Sequence, residues 1–291
     1  MQTEMGEMTE NAQCPKVAVI PVAGRGTRWK PVSRCVPKEL LPVWRRTSAS
    51  YAFEEAIRAG VHEVIFVTSP DKQDVVEHFQ RFDATDLGDA FRNVTKSALH
   101  RRIHIRACIQ QEPRGLGHAI LCAEKDVAGR PFAVLLPDEV LIDNGLSLLM
   151  HATPAVLLMD VPRDQYSCYG MVKYTRRDDD LWIEDLVEKP RPEDSPSSLA
   201  VTGRYTFTPE IFDYLRDLEP GHGGEIQLTD AMRKYTWHFP LRGIVYRGVR
   251  HDVGQPLGLL TASLDFALHD EEYSARVRAM VRDMLANVKQ P

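Results

Sequence analysis

No apolar run in the 291-residue chain approaches the roughly 18 residues that a membrane-spanning helix needs, and stretches such as 133–137 and 155–159 fall far short. Residues 1–13 are acidic and polar without a hydrophobic signal core, so export and membrane association are not expected. Positive charge is not in excess. Against 41 acidic residues stand 36 Lys and Arg, a net charge of −5, which argues against a general nucleic-acid binder and leaves room only for a local basic pocket. Cysteine is sparse: Cys14, Cys35, Cys108, Cys122 and Cys168 contain no C-x-x-C pair and leave an odd one over. That excludes a disulfide scaffold and points to reduced thiols in a cytoplasmic protein. There is no internal repeat and no low-complexity tract. The 43% apolar content and the length suffice for a sizeable core, as one large domain or two small ones.

What is present is an alternation of elements. Residues 17–22, 64–68, 104–109 and 133–136 read as buried strands, and 51–59, 73–79 and 117–125 as helices between them. This spacing predicts an α/β fold, a Rossmann-like, mostly parallel or mixed sheet flanked by helices on both faces. Ligands of such sheets lie beyond the carboxyl ends of the strands, here after Val22, Ile109 and Leu136. In the second half, 169–174 and 181–187 flank a charged stretch, 175–180, predicting an inserted antiparallel hairpin. Residues 190–198, with three prolines and three serines, read as a loop. Helices are expected at 211–216, 226–234 and 257–268, and one more strand at 244–246. The C-terminal stretch 271–289 carries Val277, Met280, Val281, Met284 and Leu285 at helical spacing, a face for docking on the chain's own core or on a twin subunit.

Chemistry concentrates after the first strand. Gly24-Arg25-Gly26-Thr27-Arg28 lets the backbone turn sharply and bring N–H groups close to an anion. Trp29 occupies the third glycine position of a dinucleotide fingerprint, and no Gly-Lys-Ser/Thr follows, so both common alternatives fail. A phosphate loop with Arg28 at its end remains, and Pro37-Lys38-Glu39 supplies a second cation. Asp138 follows a buried strand and a proline, and Asp252 adjoins a flexible Val-Gly step. Mg²⁺ takes one or two carboxylates plus phosphate oxygens, so these two aspartates could share one ion. Gln110 ends a strand with an amide able to pair with a base edge.

Residues 19–28 (V-I-P-V-A-G-R-G-T-R) and Pro37-Lys38-Glu39-Leu40-Leu41-Pro42 resemble the opening signature of sugar-1-phosphate nucleotidylyltransferases. Gly115-Leu116-Gly117-His118-Ala119, Leu136-Pro137-Asp138, Val187-Glu188-Lys189-Pro190, the block Gly223-Gly224-Glu225-Ile226-Gln227-Leu228-Thr229-Asp230 and His251-Asp252-Val253-Gly254 are similar to the bacterial UTP–glucose-1-phosphate uridylyltransferases. The resemblance implies a nucleotide-diphospho-sugar transferase fold over 16–268, with a nucleotide part at about 16–160 and a sugar-phosphate part at about 161–255. A flexible 1–15 would precede it, and a helical 269–291 would follow. It implies Mg²⁺-dependent transfer from UTP to glucose 1-phosphate, giving UDP-glucose and pyrophosphate, in a homo-oligomer. Arg28 and Lys38 would hold the triphosphate, and Ala23, Gly24, Gly26, Thr27, Gln110 and Gly115 the nucleotide. Gly170, Glu188 and Lys189 would hold the sugar phosphate, and Asp138 with Asp252 the metal. Transfer to another hexose 1-phosphate, use of dTTP, or a weakly catalytic regulatory paralogue stay open. Three places depart from the family pattern. Arg45-Arg46-Thr47 stands for Asp-Lys-Pro, Val249 for a lysine, and Glu139 for an apolar residue. At the first, Thr47, Ser48 or Ser50 is expected to cap the following helix with a side-chain oxygen.

Overall fold

The computed structural model describes residues 14–81 and 103–287. Apart from Cys14 and Pro15, the expected lead-in 1–15 lies outside them, as do 288 and 289 of the expected last helix. The chain opens with β1 (Val17–Pro21), a small hairpin of β2 (Pro42–Val43) and β3 (Arg46–Thr47), and helix α1 (Ser48–Arg58). Next come β4 (Glu63–Thr68), α2 (Gln73–Gln80), β5 (His104–Ile109), α3 (Leu116–Cys122), α4 (Glu124–Val127), β6 (Phe132–Leu135) and β7 (Glu139–Leu141). The second half holds β8 (Ala155–Asp160), β9 (Gly170–Arg177), β10 (Asp180–Glu188), β11 (Leu199–Phe207), α5 (Ile211–Arg216) and α6 (Leu228–Tyr235). It ends with β12 (Arg242–Val245), β13 (Arg250–Asp252), α7 (Pro256–His269) and α8 (Ser274–Asn287).

Nine strands form one sheet in the order β5-β4-β1-β6-β11-β8-β12-β10-β9. β5, β4, β1 and β6 run parallel; β11 reverses, pairing antiparallel with β6 and β8. β1 is apolar throughout because both of its faces are covered. Val17 and Val19 pack with Ile120 of α3, Phe212 of α5 and Met232 of α6. Ala18 and Ile20 pack with Phe53 of α1 and Val75 of α2 on the other side. The chain leaves β1 toward β4 and β5, then returns to β6 on the opposite side, so a crevice opens at the carboxyl ends of β1 and β6. No helix among the described residues is long and apolar enough to cross a membrane.

Three local expectations need correction. Residues 175–177 and Asp180 are strand: Thr175 pairs with Trp182 and Arg177 with Asp180, leaving the turn to Asp178 (φ 55°) and Asp179. Of the charges that read as a turn, Arg176 and Arg177 lie on β9 at the edge of the sheet, where both are exposed. The start of α1 has no side-chain cap. Thr47 Oγ1 shares a hydrogen bond with Ser50 Oγ at 2.6 Å, and Ser48 Oγ donates to the Lys38 and Glu39 carbonyls at 3.2 and 3.1 Å. Of the C-terminal stripe only Val277 is buried, while Met280, Met284 and Leu285 are exposed, which removes docking along its length on the chain's own core and leaves the twin-subunit alternative.

The Arg45-Arg46-Thr47 departure faces the C-terminal segment. Trp44 Nε1 donates to Asp270 Oδ2 at 2.8 Å and its ring meets Tyr273 edge-on, while Arg45 lies 3.9 Å from both Asp270 and Glu272. Arg46 pairs with the buried Glu54 at 2.6 Å. Arg45→Asp would set a third carboxylate against two, at an exposed position where such pairs contribute little. The expected result is unchanged turnover with a thermal midpoint lower by about 2–4 °C, less so in high salt. A salt-independent loss larger than this would contradict the electrostatic account.

Candidate active site

The crevice holds a cavity of about 490 Å³, and Ala23, Gly24, Gly26, Thr27, Lys38, Gln110, Gly115 and Asp138 all line it. Gly26 has φ +59°, which a side chain would strain, and starts the helical turn Thr27–Trp29. The N–H groups of Ala23, Gly24, Arg25 and Gly26 meet no acceptor among the described residues, so the loop has backbone donors to offer an anion. Arg28 is exposed beside it and acts electrostatically on both Lys38 and Asp138. Lys38 Nζ donates to Asp138 Oδ2 at 2.6 Å. Burial alone would lower the Lys38 pKa, but the Asp138 and Glu39 carboxylates outweigh it and hold it above its ordinary value. Burial would likewise raise Asp138, and Lys38 pulls it below the usual carboxylate range.

Asp252 reaches Asp138 through strand register. β13 pairs antiparallel with β7, placing Asp252 opposite Glu139, the neighbour of Asp138. The Val253 N–H donates to the Asp138 carbonyl at 2.8 Å, and the Gly254 N–H to Asp252 Oδ1 at 2.9 Å. A Cβ on Gly254 would sit 2.9 Å from Asp252 Oδ1 and 3.2 Å from Asp138 Oδ2, so both carboxylates converge on one point. Two hard oxygen donors suit a divalent cation such as Mg²⁺. No third His, Cys, Asp or Glu joins them among the described residues.

Gln110 is buried, and its amide is committed on the donor side: Nε2 donates to the Gly115 carbonyl at 3.1 Å and meets His118 Nδ1 at 2.9 Å. Burial, then Arg114, pushes His118 below its ordinary pKa, so the neutral ring can accept at Nδ1. The amide oxygen of Gln110 is therefore the atom left to address a base, one contact instead of the donor–acceptor pair open to a free amide. Gly115 (φ +108°) admits no side chain, since a Cβ would lie 2.7 Å from the Ile226 carbonyl. The Gly117 N–H donates to the Ile226 carbonyl at 2.8 Å and the Ile226 N–H to the Arg114 carbonyl at 2.7 Å, which fastens the Gly115-Leu116-Gly117 turn to the Gly223–Asp230 block.

Gly170, Glu188 and Lys189 form a second cluster, outside the lining of the cavity. Glu188 pairs with Gly170 across β9 and β10. Its Oε2 accepts from Thr229 Oγ1 at 2.7 Å and its Oε1 lies 3.1 Å from Lys189 Nζ. Lys189 sits at φ 46°, and its N–H donates to the Tyr169 carbonyl at 3.0 Å. The out-of-pattern Glu139 finds its partner here. It takes two bonds from Arg250, at 2.6 and 2.7 Å, and the Arg250 guanidinium lies over the Tyr169 ring, 4.6 Å from its centroid. Burial pushes the Glu139 carboxyl up to about 7 against the pull of Arg250. Glu139, Arg250 and Tyr169 thus link the aspartate pair to Lys189.

A family model for nucleotidyl transferases matches residues 17–268. The chain belongs to this family. It is 38% identical over 271 residues to the UTP–glucose-1-phosphate uridylyltransferase of Bacillus subtilis (strain 168), covering 88% of this chain and 92% of that one. It is 36% identical over 284 residues to the UTP–glucose-1-phosphate uridylyltransferase YngB of the same organism, covering 92% and 95%. Its fold is similar to a crystal structure of UDP-glucose pyrophosphorylase complexed with UDP-glucose, with TM-score 0.80, 32% identity, and 88% and 100% of the two chains covered. The UTP-bound UGPase from Acinetobacter baumannii gives TM-score 0.77 at 28% identity, covering 94% and 100%. Nucleotidyl transferases typically use a divalent metal, which the Asp138 and Asp252 donor set fits.

Two buried cations of this nucleotidyl transferase carry no motif and escape the sequence pattern. Lys72 Nζ donates to the Val22 carbonyl at 3.1 Å, to the Gly24 carbonyl and to Glu39 Oε2 at 2.9 Å. Arg204, fully buried in β11, pairs with Glu55 and donates to the carbonyls of Leu136 at 3.0 Å and Glu139 at 2.6 Å, on either side of Asp138. The only signal for Lys72 was its place just after β4; Arg204 had none.

Proposed function

We propose that the chain transfers a uridylyl group from UTP to α-D-glucose 1-phosphate, releasing pyrophosphate. The observation that carries this reading is the meeting of Asp138 and Asp252 at Gly254, with Lys38 on Asp138, at the mouth of the glycine loop. Two polyanions must approach in line, so charge has to be neutralised without blocking the α-phosphorus. The loop N–H groups, Arg28 and Lys38 hold the triphosphate. Lys189, a compact ammonium, holds the acceptor phosphate, and Glu188 accepts from sugar hydroxyls. Mg²⁺ held by Asp138 and Asp252 would supply charge stabilisation to the phosphates. The acceptor phosphate oxygen bonds to the α-phosphorus as its bond to the pyrophosphate oxygen breaks. That oxygen is already ionised, so no side chain need remove a proton, which accords with His118 being spent on orienting Gln110. The Gln110 oxygen suits the N3–H of uracil. The exposed stripe Met280, Met284 and Leu285 supports a homo-oligomer.

Pyrophosphate release measured across four nucleoside triphosphates and several sugar 1-phosphates tests the assignment. UTP with glucose 1-phosphate should dominate, and preference for dTTP or another sugar would redirect it. Lys189→Ala should raise KM for glucose 1-phosphate about tenfold and lower kcat, with KM for UTP moving far less. Lys189→Arg should rescue poorly, because a planar fork does not replace a point charge. Equal weakening toward both substrates would contradict this role for Lys189.

A further inference from the structure

The strongest unassigned feature is the Lys72 ammonium. It is buried (8% exposed) and does not line the cavity. Its three donors meet three acceptors: the carbonyls of Val22 and Gly24 in the glycine loop and the Glu39 carboxylate beside Lys38. A surface lysine would gain little from such contacts. Here a desolvated charge joins the loop after β1, the segment carrying Lys38, and the turn after β4. Glu39 Oε1, buried as well, has no partner among the described residues; Lys72 is the cation hydrogen-bonded to this carboxylate, and Lys38 acts on it through space.

A trans peptide points its C=O and the following N–H in opposite directions. With the Val22 and Gly24 carbonyls turned toward Lys72, the N–H groups of Ala23 and Arg25 face the other way. Those N–H groups meet no acceptor among the described residues, and Ala23 and Arg25 line the cavity. We propose that Lys72 is a positioning residue for the transfer reaction, turning two loop peptides so that their N–H groups serve the nucleotide phosphates. Through Glu39 it also fixes the spacing between that loop and Lys38. Lys72 touches no substrate; it acts through backbone that does. The inference rests on the reading of UTP as the nucleotide.

The test separates positioning from charge balance. Lys72→Met removes the three bonds and leaves Glu39 buried without its hydrogen-bonded cation, the through-space pull of Lys38 remaining. Lys72→Met/Glu39→Gln removes the bonds and the stranded carboxylate together. KM for UTP, KM for glucose 1-phosphate, equilibrium UTP binding and the thermal midpoint are measured on both variants and on the unaltered protein. Lys72→Met should lower the midpoint and raise KM and Kd for UTP about tenfold or more, with KM for glucose 1-phosphate changing less than about twofold. The double variant should regain most of the midpoint without regaining UTP affinity. Recovery of UTP affinity along with the midpoint would overturn the proposal, since Lys72 would then serve stability alone. Unchanged UTP affinity in a folded Lys72→Met protein would overturn it as well. So would failure of both variants to fold, which would make the pair a folding element. If the unaltered protein neither bound nor turned over UTP, the functional reading itself would fail, a result separable from all of these.

Discussion

Asp138→Asn is expected to lower kcat at least about 100-fold, the scale on which single groups that stabilise reaction charge are felt, while leaving the fold in place. Asparagine keeps the shape of the side chain and removes only its charge. The backbone bond from the Val253 N–H to the residue 138 carbonyl is untouched, and so is the pairing of β7 with β13 that brings Asp252 near. The Lys38–Asp138 pair is mostly buried, with 17% and 32% of the two side chains exposed, so its loss should cost more than the about 1 kcal/mol of a surface pair and less than the about 3–5 kcal/mol of a fully buried one. What disappears is one of two carboxylates aimed at the same point beside Gly254. Asp252→Asn should act in the same direction, and both variants should demand higher metal concentration for residual turnover. Steady-state rates across a Mg²⁺ titration, with the thermal midpoint alongside, check this. A folded Asp138→Asn protein with near-normal turnover at saturating UTP and Mg²⁺ would exclude Asp138 as a metal ligand.

Legibility followed how locally each function is encoded. The glycine loop was readable because anion binding by backbone needs small residues in one short stretch, directly after an apolar strand. Asp138 was readable as a carboxylate at a strand end. Its partnership with Asp252 follows from the β7–β13 register, which no single segment displays. Lys72 and Arg204 stayed hidden because their counter-charges, Glu39 and Glu55, lie 33 and 149 residues away. Neither cation belongs to a spacing pattern of its own. The same residue obscured β11. Thr202, Arg204 and Thr206 are all buried in it, and polar residues at alternate positions read as a solvated face when their partners are unknown. Thr202 Oγ1 donates to the Leu157 carbonyl at 3.0 Å, and Thr206 Oγ1 accepts from the Ala155 N–H at 3.2 Å, so each is satisfied by the neighbouring β8. For the Arg45-Arg46-Thr47 departure, what sequence could not show was its partner, the segment around Asp270.

Arg204→Met should bring the largest loss of stability of any single change considered. The guanidinium is completely buried, and each of its five N–H groups has an acceptor. Nε and Nη2 donate to Glu55 Oε2 at 2.9 and 2.8 Å, and Nη2 also to the Glu139 carbonyl at 2.6 Å. Nη1 donates to the carbonyls of Leu136 and Gly203 at 3.0 and 3.1 Å. Methionine fills similar space but strands Glu55, left among the described residues with the Leu146 N–H at 2.8 Å, and takes a donor from three carbonyls, of which those of Leu136 and Gly203 keep backbone bonds from the Glu139 and Leu136 N–H groups at 3.3 and 2.9 Å. Breaking a buried pair from one side typically destabilises by about 3–5 kcal/mol, which for a chain of this size lowers the thermal midpoint by roughly 10 °C. Lysine should rescue little, because three donors cannot serve five acceptor contacts. Arg204→Met/Glu55→Met, which removes both charges, should regain much of the midpoint. Turnover should stay low in the double variant. The Leu136 and Glu139 carbonyls flank Asp138, and without their common donor the aspartate is free to drift from the point it shares with Asp252. A drift of about 1 Å is enough to lower a rate about 100-fold. Scanning calorimetry and kcat on the three variants separate the two effects. A double variant that recovers stability and turnover together would show that Arg204 holds the core and not the aspartate.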